Sequence, residues 1–289
     1  MNALARLFDT LPGIPRGIYR PADFLAVRDI AYRAAGIVLP PGKAMLVYSR
    51  LAPLVRDSGA MTFEAYVARM ATDEAEQRRA VCALTTNHTF FFREAHHFAH
   101  LAEHVRPGLV SRALSGKAVR VWSAGCASGE ESWSLMMTLL GQDRGAGRAF
   151  AERDVRVLAS DIADHALAVA KAGVYPRDSI AAVPAPLREA WVTMQGDQAV
   201  IADDARPAMR FRSLNLLGAW PMRQGFDVIF CRNVMIYFDQ PTKERLVQRF
   251  AEQLRPGGHL YIGHSERVTG PAEDLLTLVG QTIYRRAAA

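Results

Sequence analysis

Residues 119–161 constrain the fold of this chain more than any other stretch. Val119-Arg120-Val121-Trp122-Ser123-Ala124 is a short β-branched and aromatic run, the mark of a buried strand. It breaks at Gly125-Cys126-Ala127-Ser128-Gly129 and resumes at Glu130 with helical spacing, where Leu135 and Leu139, and Met136 and Leu140, recur in register. A second strand, Val155–Ser160, ends on Asp161. Strand, glycine turn, helix and a strand closed by a carboxylate is how an open α/β sheet receives a nucleoside-containing ligand. The glycines let the backbone approach the ligand, and the carboxylate can take both ribose hydroxyls.

The turn is not Gly-x-Gly-x-x-Gly, so the dinucleotide fingerprint is absent. The helix also opens with Glu130 and Glu131, and a pyrophosphate at its N-terminus would face both carboxylates. A cationic nucleoside without phosphate suits the place better. S-adenosylmethionine, with a free amino group and a sulfonium, meets that description.

From Val119 onward strands alternate with helices. The strands read as Val119–Ala124, Val155–Ser160, Met209–Leu214, Phe226–Cys231 and His259–Gly263, with helical stretches at 130–140, 163–172 and 241–254. This is the pattern of a parallel, doubly wound sheet. The segment 177–210 departs from it: Ala190–Met194 and Ala199–Ala202 flank Gln195-Gly196-Asp197-Gln198 and read as an inserted antiparallel hairpin.

Residues 1–86 carry no strand signal. Pro12, Gly13, Pro15 and Gly17 make 1–19 an irregular leader. Phe24, Val27 and Ala31, then Tyr48, Leu51 and Val55, then Phe63, Tyr66, Val67 and Met70, give three helical stripes, and Asp73 with Glu76 opens a fourth helix. The expected domains are a helical one at 1–86 and an α/β one at 87–289, with the β insertion at about 177–210.

Composition narrows the class. No apolar stretch approaches the ~20 residues that cross a bilayer, and Met1–Arg6 lacks the charged start and apolar core of a signal peptide. Three cysteines, an odd number, read as free thiols of a cytoplasmic protein. The net charge of +6 has no Lys/Arg stripe with interleaved aromatics. It points to an acidic partner surface, not nucleic acid.

Several segments can supply a pocket at the cofactor end of the sheet. Thr85-Thr86-Asn87-His88-Thr89-Phe90-Phe91-Phe92-Arg93-Glu94 sets small polar groups beside three phenylalanines, which is equally a linker whose rings fill core. Asn215-Leu216-Leu217 follows a strand end, where an adenine could be edge-bonded, although Asn215 alone is a common turn residue. Phe226–Phe238 carries a strand into Arg232-Asn233 and on to Tyr237. Arg232 and Tyr237 can each donate to a carboxylate, the arginine in bidentate fashion.

Thr85–Phe98, Trp122–Glu131, Ala159–Ile162, Asn215–Leu217, Phe230–Phe238 and Gly263-His264-Ser265-Glu266 together resemble the bacterial chemotaxis receptor methyltransferases of the CheR type, over about residue 20 to Tyr284. The resemblance implies a helical N-terminal domain and a Rossmann-like methyltransferase domain with a small β insertion. It implies S-adenosylmethionine-dependent esterification of glutamates on chemoreceptor cytoplasmic helices, with S-adenosylhomocysteine as product. Carried over by motif, Asn87, Thr89, Arg93, Glu131, Asp161, Asn215, Leu216, Arg232 and Asn233 would line the cofactor site. Arg93, Arg232 and Tyr237 would flank the transferring methyl. His88 departs from the smaller or apolar residue common there. Family members that bind a receptor C-terminal pentapeptide tend to have a longer, glycine-richer hairpin loop, so this chain resembles the peptide-independent kind.

Other readings stand lower. His96, His100 and His104 recur every four residues beside His97, but only Glu103 accompanies them, and they read as a partly exposed helix face with no metal. Gly263-His264-Ser265-Glu266 lacks the Gly-x-Ser-x-Gly of a hydrolase. A methyltransferase acting on RNA or a small molecule would want a basic aromatic surface or an Asn-Pro-Pro-Tyr-like motif. A silent cofactor-binding module should have lost some of the polar site residues.

Overall fold

The computed structural model describes Phe8, Ile14 and residues 17–288, so most of the leader at 1–19 lies outside the described residues. The chain divides into two compact units. One holds the described residues up to Thr86 together with Tyr237–Asp239, and the other holds 87–236 and 240–288.

The first unit is built from helices Pro21–Ala35, Ala44–Asp57, Phe63–Thr72 and Glu74–Leu84. Their stripes meet as the periodicity requires: Phe24, Val27, Ala31, Leu51, Phe63, Tyr66 and Met70 are buried. Gly36 ends the first helix in the left-handed region, at φ 68°. The Asp73 carboxylate caps the fourth by accepting from the Ala75 and Glu76 amides. Tyr237–Asp239 joins this unit through the Val38 amide, which donates to the Tyr237 carbonyl at 2.9 Å. The Tyr32 hydroxyl also bonds Asp239 at 2.7 Å.

The second unit is a seven-stranded sheet in the order β6-β2-β1-β7-β8-β10-β9. Here β1 is Val119–Ala124, β2 Val155–Asp161, β6 Met209–Ser213, β7 Phe226–Cys231, β8 Leu254–Ile262, β9 Leu276–Gly280 and β10 Ile283–Arg286. Pairs among β6, β2, β1, β7 and β8 are parallel, and β10 runs antiparallel to both neighbours. Strand β1 sits between β2 and β7, where the order reverses, and ligands bind at such a switch point outside the carboxyl ends of the strands.

A second sheet, β3-β5-β4, is formed by Val174–Pro176, Gln198–Ile201 and Val192–Gln195. The expected hairpin is thus three-stranded and begins before residue 177. Ala190 belongs to a helix, Ala185–Trp191, because Trp191 turns inward, fully buried, and its indole donates to the Gly141 carbonyl. The turn is only Gly196-Asp197, since Gln195 and Gln198 already pair. Strand β8 starts at Leu254, earlier than expected, and an irregularity carrying Pro256-Gly257-Gly258 precedes the predicted His259 start. Strands β9 and β10 were not expected from the alternation.

The histidine-bearing stretch is also more irregular than its spacing predicts. Helix His96–His100 widens into a π-type turn over Leu101–Val105 before continuing as Arg106–Leu114. Pro107 lacks the amide that would continue the ordinary ladder, and one extra residue in the turn absorbs the loss.

Candidate active site

The carboxyl ends of β1, β2, β6 and β7, with the segments that follow them, carry every sequence-predicted site residue of the second unit except those in the segment at 87–93 that precedes its first helix. The turn after β1 is held at its base by the Gly125 and Cys126 amides, which both donate to the Ser160 carbonyl. Gly125 has φ 80°, and a Cβ there would lie 2.4 Å from a Val234 methyl. A Cβ at Gly129, φ 96°, would lie 2.6 Å from that of Ala170. Both glycines are therefore required by backbone conformation and internal packing, where the sequence alone had pointed to ligand approach.

Asp161 fixes this turn. One carboxylate oxygen accepts from the Ala127 amide at 2.8 Å and the other from Ala163 at 2.9 Å. The Ile162 amide is a third backbone donor to the same carboxylate. Burial pushes its pKa up, against the opposing effect of those amides.

At the centre lies Arg232, buried among carboxylates. Its guanidinium is 3.3 Å from Glu131 and 3.5 Å from Glu94, donates to the Arg93 carbonyl, and lies over the Phe98 and Phe230 rings. Glu131 accepts a second bond from Ser123 at 2.8 Å. Glu94 accepts from Asn233 at 3.4 Å and meets the His264 ring at 3.0 Å. Glu266 receives the Asn233, Met235 and Gly263 amides and so shapes the loop after β7. Phe92, Glu94, Ala127 and Asn233 all have positive φ, so four of the five described non-glycine residues with that conformation lie here. Such strain persists only where the surroundings hold it, as in a preorganised site.

The electrostatics are those of a site short of positive charge. Burial raises the pKa of Glu131, and Arg232 only partly opposes it. Burial likewise raises Glu266. Burial also acts to raise Glu94, but Arg232 and His264 win and hold it at about 2. One buried guanidinium thus faces several carboxylates, an arrangement that welcomes a cation and repels a phosphate.

The remaining predicted residues bond elsewhere. Arg93 is half-buried, donates to the His88 carbonyl at 3.3 Å and lies over Phe90. Asn87 bonds the exposed His165 ring at 3.1 Å, and Thr89 is half-buried two residues on. Asn215 makes a turn through its side chain, which accepts from the Leu217 amide at 3.0 Å. It lies two residues past Ser213, the register partner of Asp161, and Leu216 beside it is buried. Tyr237 lies in the first unit, half-buried, its hydroxyl 3.5 Å from the Thr86 carbonyl. The bidentate grip expected of Arg232 on a substrate meets a constraint: both terminal nitrogens are engaged, and only Nε is buried without a partner.

The histidine stripe does not converge. His100 bonds the Tyr261 hydroxyl at 2.9 Å. His96, His97 and Glu94 instead hold their potential ligand atoms within 4.8 Å. Arg232, paired with that same Glu94, opposes any cation there. Burial, then Arg232, lowers the pKa of His97 to about 3, so it is neutral. A depressed folded pKa means that the unfolded chain takes up the proton first. Stability from His97 is full above pH ~6.5 and is lost as pH falls toward 3. Denaturant unfolding of His97→Gln between pH 6.5 and 4.5 should show a shallower loss than the parent, by up to ~1.4 kcal/mol per pH unit. Identical slopes would mean that His97 is not the buried neutral group.

Two family models match the chain, an all-alpha CheR methyltransferase domain over residues 22–85 and a CheR methyltransferase SAM binding domain over 87–285. The chain belongs to the CheR methyltransferase family. It is 44% identical to a probable chemotaxis protein methyltransferase of Rhizobium etli, over 88% of this chain and 96% of that one. It is 40% identical to chemotaxis protein methyltransferase 2 of Pseudomonas aeruginosa, over 93% and 94%, and 39% identical to the chemotaxis protein methyltransferase of Klebsiella aerogenes, over 98% and 93%. The α/β unit of this CheR enzyme is thus an S-adenosylmethionine-binding methyltransferase domain, and its surplus of carboxylates fits a cationic, phosphate-free cofactor. No helix among the described residues is long and apolar enough to cross a membrane.

Sequence reasoning did not single out Glu94 and Ser123, which bond within the network around Arg232, and it read Glu266 only within a segment that ends a strand and helps close the site. Glu94 follows Arg93 at the end of an aromatic run, and an isolated carboxylate there is a usable signal. Glu266, three residues past Gly263, bonds back to the Gly263 amide as a capping carboxylate does.

Proposed function

We propose that this CheR methyltransferase esterifies glutamate side chains on the cytoplasmic helical bundle of chemoreceptors, giving glutamate 5-methyl esters. The observation that carries the reading is the single buried guanidinium of Arg232 among Glu94 and Glu131 at the switch point, with Asp161 capping the neighbouring strand. S-adenosylmethionine supplies an electrophilic methyl on a positively charged sulfur. A lone pair of the glutamate carboxylate forms the new carbon–oxygen bond while the carbon–sulfur bond breaks, its electrons passing to sulfur, which leaves neutral.

The chain's residues bind and orient. Asp161 would hold the ribose, Asn215 and Leu216 the adenine, and Glu131, through Arg232 and Asn233, the aminoacyl end. Asn87, Thr89 and Arg93 would close the pocket. Glutamate is already ionised at neutral pH, so no general base is needed. Arg93, Arg232 and Tyr237 would desolvate and aim the carboxylate, Arg232 chiefly as the fixed countercharge and Arg93 and Tyr237 as donors. The helical unit would recognise the receptor. Among its cations Arg33, Lys43 and Arg56 are exposed and form no ion pair among the described residues, whereas Arg20, Arg28 and Arg69 are paired within the unit.

Incubation with radiolabelled S-adenosylmethionine and receptor-containing membranes tests the reading. Base-labile label on the receptor is expected, and stable label on RNA, or no transfer, would overturn it. Asp161→Ala should weaken S-adenosylmethionine binding by about tenfold or more, through lost ribose bonds and a loosened Ala127 turn. Unchanged affinity in calorimetry would remove Asp161 from the cofactor site.

A further inference from the structure

On one face of the sheet a hollow of about 330 Å³ is bordered by Arg120 of β1, Arg156 of β2, Arg210 and Arg212 of β6, and Arg223, which line it mainly with their aliphatic stems; it runs from the amino ends of β1 and β2 up to Arg212, the register partner of Ser160. The alternation along each strand explains why they share a face. Val121, Val157 and Met209 point into the apolar core, and the intervening positions point the other way. Register then sets like charges side by side, since Arg120 is the cross-strand partner of Arg156. Directly opposed like charges destabilise a sheet.

The chain relieves this at Arg120 alone, whose guanidinium bonds the Asp154 carboxylate, the Gln224 amide oxygen and the Val119 and Asp154 carbonyls. Arg156, Arg210, Arg212 and Arg223 form no ion pair among the described residues. The bonds of Arg156, Arg210 and Arg212 run to nearby backbone carbonyls. The floor between them is apolar, made by Leu158, Met222 and Phe226. A doubly wound sheet normally covers such a face with a crossover helix. Here the connection from β6 to β7, residues 214–225, contains none, and no helix lines the hollow.

We propose that this hollow seats an acidic amphipathic helix of a protein partner, a docking surface separate from the methyl-transfer site. A helix is the element whose shape completes the missing layer. Adjacent strands about 4.8 Å apart, and alternate residues of β6 about 7 Å apart, root these side chains at spacings close to those of carboxylates three or four residues apart on a helix, about 5–6 Å. The apolar residues of the partner helix rest on Leu158, Met222 and Phe226, and its carboxylates bond the arginines in bidentate fashion.

The test uses the full chain and a fluorescent synthetic helical peptide with glutamates at every fourth position on one face and leucines beside them. Anisotropy at low ionic strength should show binding that weakens with added salt. Arg156→Glu with Arg210→Glu should weaken it at least about tenfold, with S-adenosylmethionine affinity unchanged. The melting temperature should not fall, because position 156 then opposes Arg120 with the opposite charge. Arg156→Gln with Arg210→Gln serves as the second variant should the reversal fail to fold. Equal binding by parent and variants overturns the proposal. So does equal binding of a peptide with lysines in place of the glutamates, and so does absence of peptide binding, which together with saturable binding of ATP would make the hollow a site for a small polyanion.

Discussion

Arg232→Met is expected to cost about 3–5 kcal/mol of folding stability, the penalty of leaving buried carboxylates without their countercharge. The guanidinium is the only described cation paired with Glu131, and Glu94 also depends on it. Methionine keeps most of the side-chain volume, so the loss reports charge more than a cavity. Glu131 should respond by taking up a proton, since burial already raises its pKa and Arg232 is what opposes that. Adding Glu131→Gln to the methionine variant should then recover a substantial part of the loss, as a double-mutant cycle would show. Denaturant unfolding of the parent, the two single variants and the pair decides the matter. If Arg232→Met unfolds at the parental midpoint, Arg232 is not the electrostatic centre of the site. S-adenosylmethionine affinity should fall in the single variant as well, because the loop from Arg93 to Glu94 and the loop after β7 are both tied to this side chain.

Tyr237→Phe should act on a different quantity. Its hydroxyl lies 3.5 Å from the Thr86 carbonyl, at the outer limit of a hydrogen bond, so removing it costs little stability. If that hydroxyl tightens onto the substrate carboxylate in the transition state, receptor methylation should slow by about 10- to 100-fold, at 1.36 kcal/mol per decade. Cofactor affinity should stay near that of the parent. A core aromatic would behave in the opposite way, losing melting temperature and keeping turnover. Single-turnover methylation of receptor by Tyr237→Phe at the parental rate would dismiss the orienting role.

The order of elements was legible in the chain because its periodicities are local. Strands β1, β2, β6 and β7 fall almost where the β-branched runs predict, and the helical stripes of residues 22–84 bury most of the residues they should, with Tyr48 and Val67 only half-buried. The glycine turn, the two glutamates after it and Asp161 also indicated a cationic nucleoside cofactor, because charge and turn chemistry are written in single residues. Other features depended on contacts across long stretches of chain. Strand β3 pairs with β5 some 25 residues later, and β10 is inserted between β8 and β9, and no short pattern encodes such pairings. The same holds for the site. Asp161 reads as a ribose ligand in sequence, but folding also makes it the clasp of the Ala127 turn. Arg232 reads as a substrate donor, but only the folded chain brings Glu94 and Glu131, each more than a hundred positions away, against its guanidinium. The sequence by itself determined which groups carry charge and where the chain turns. The tertiary structure decided which charges become neighbours, because the energy of a buried ion pair depends on distance and desolvation, and neither exists until the sheet has formed.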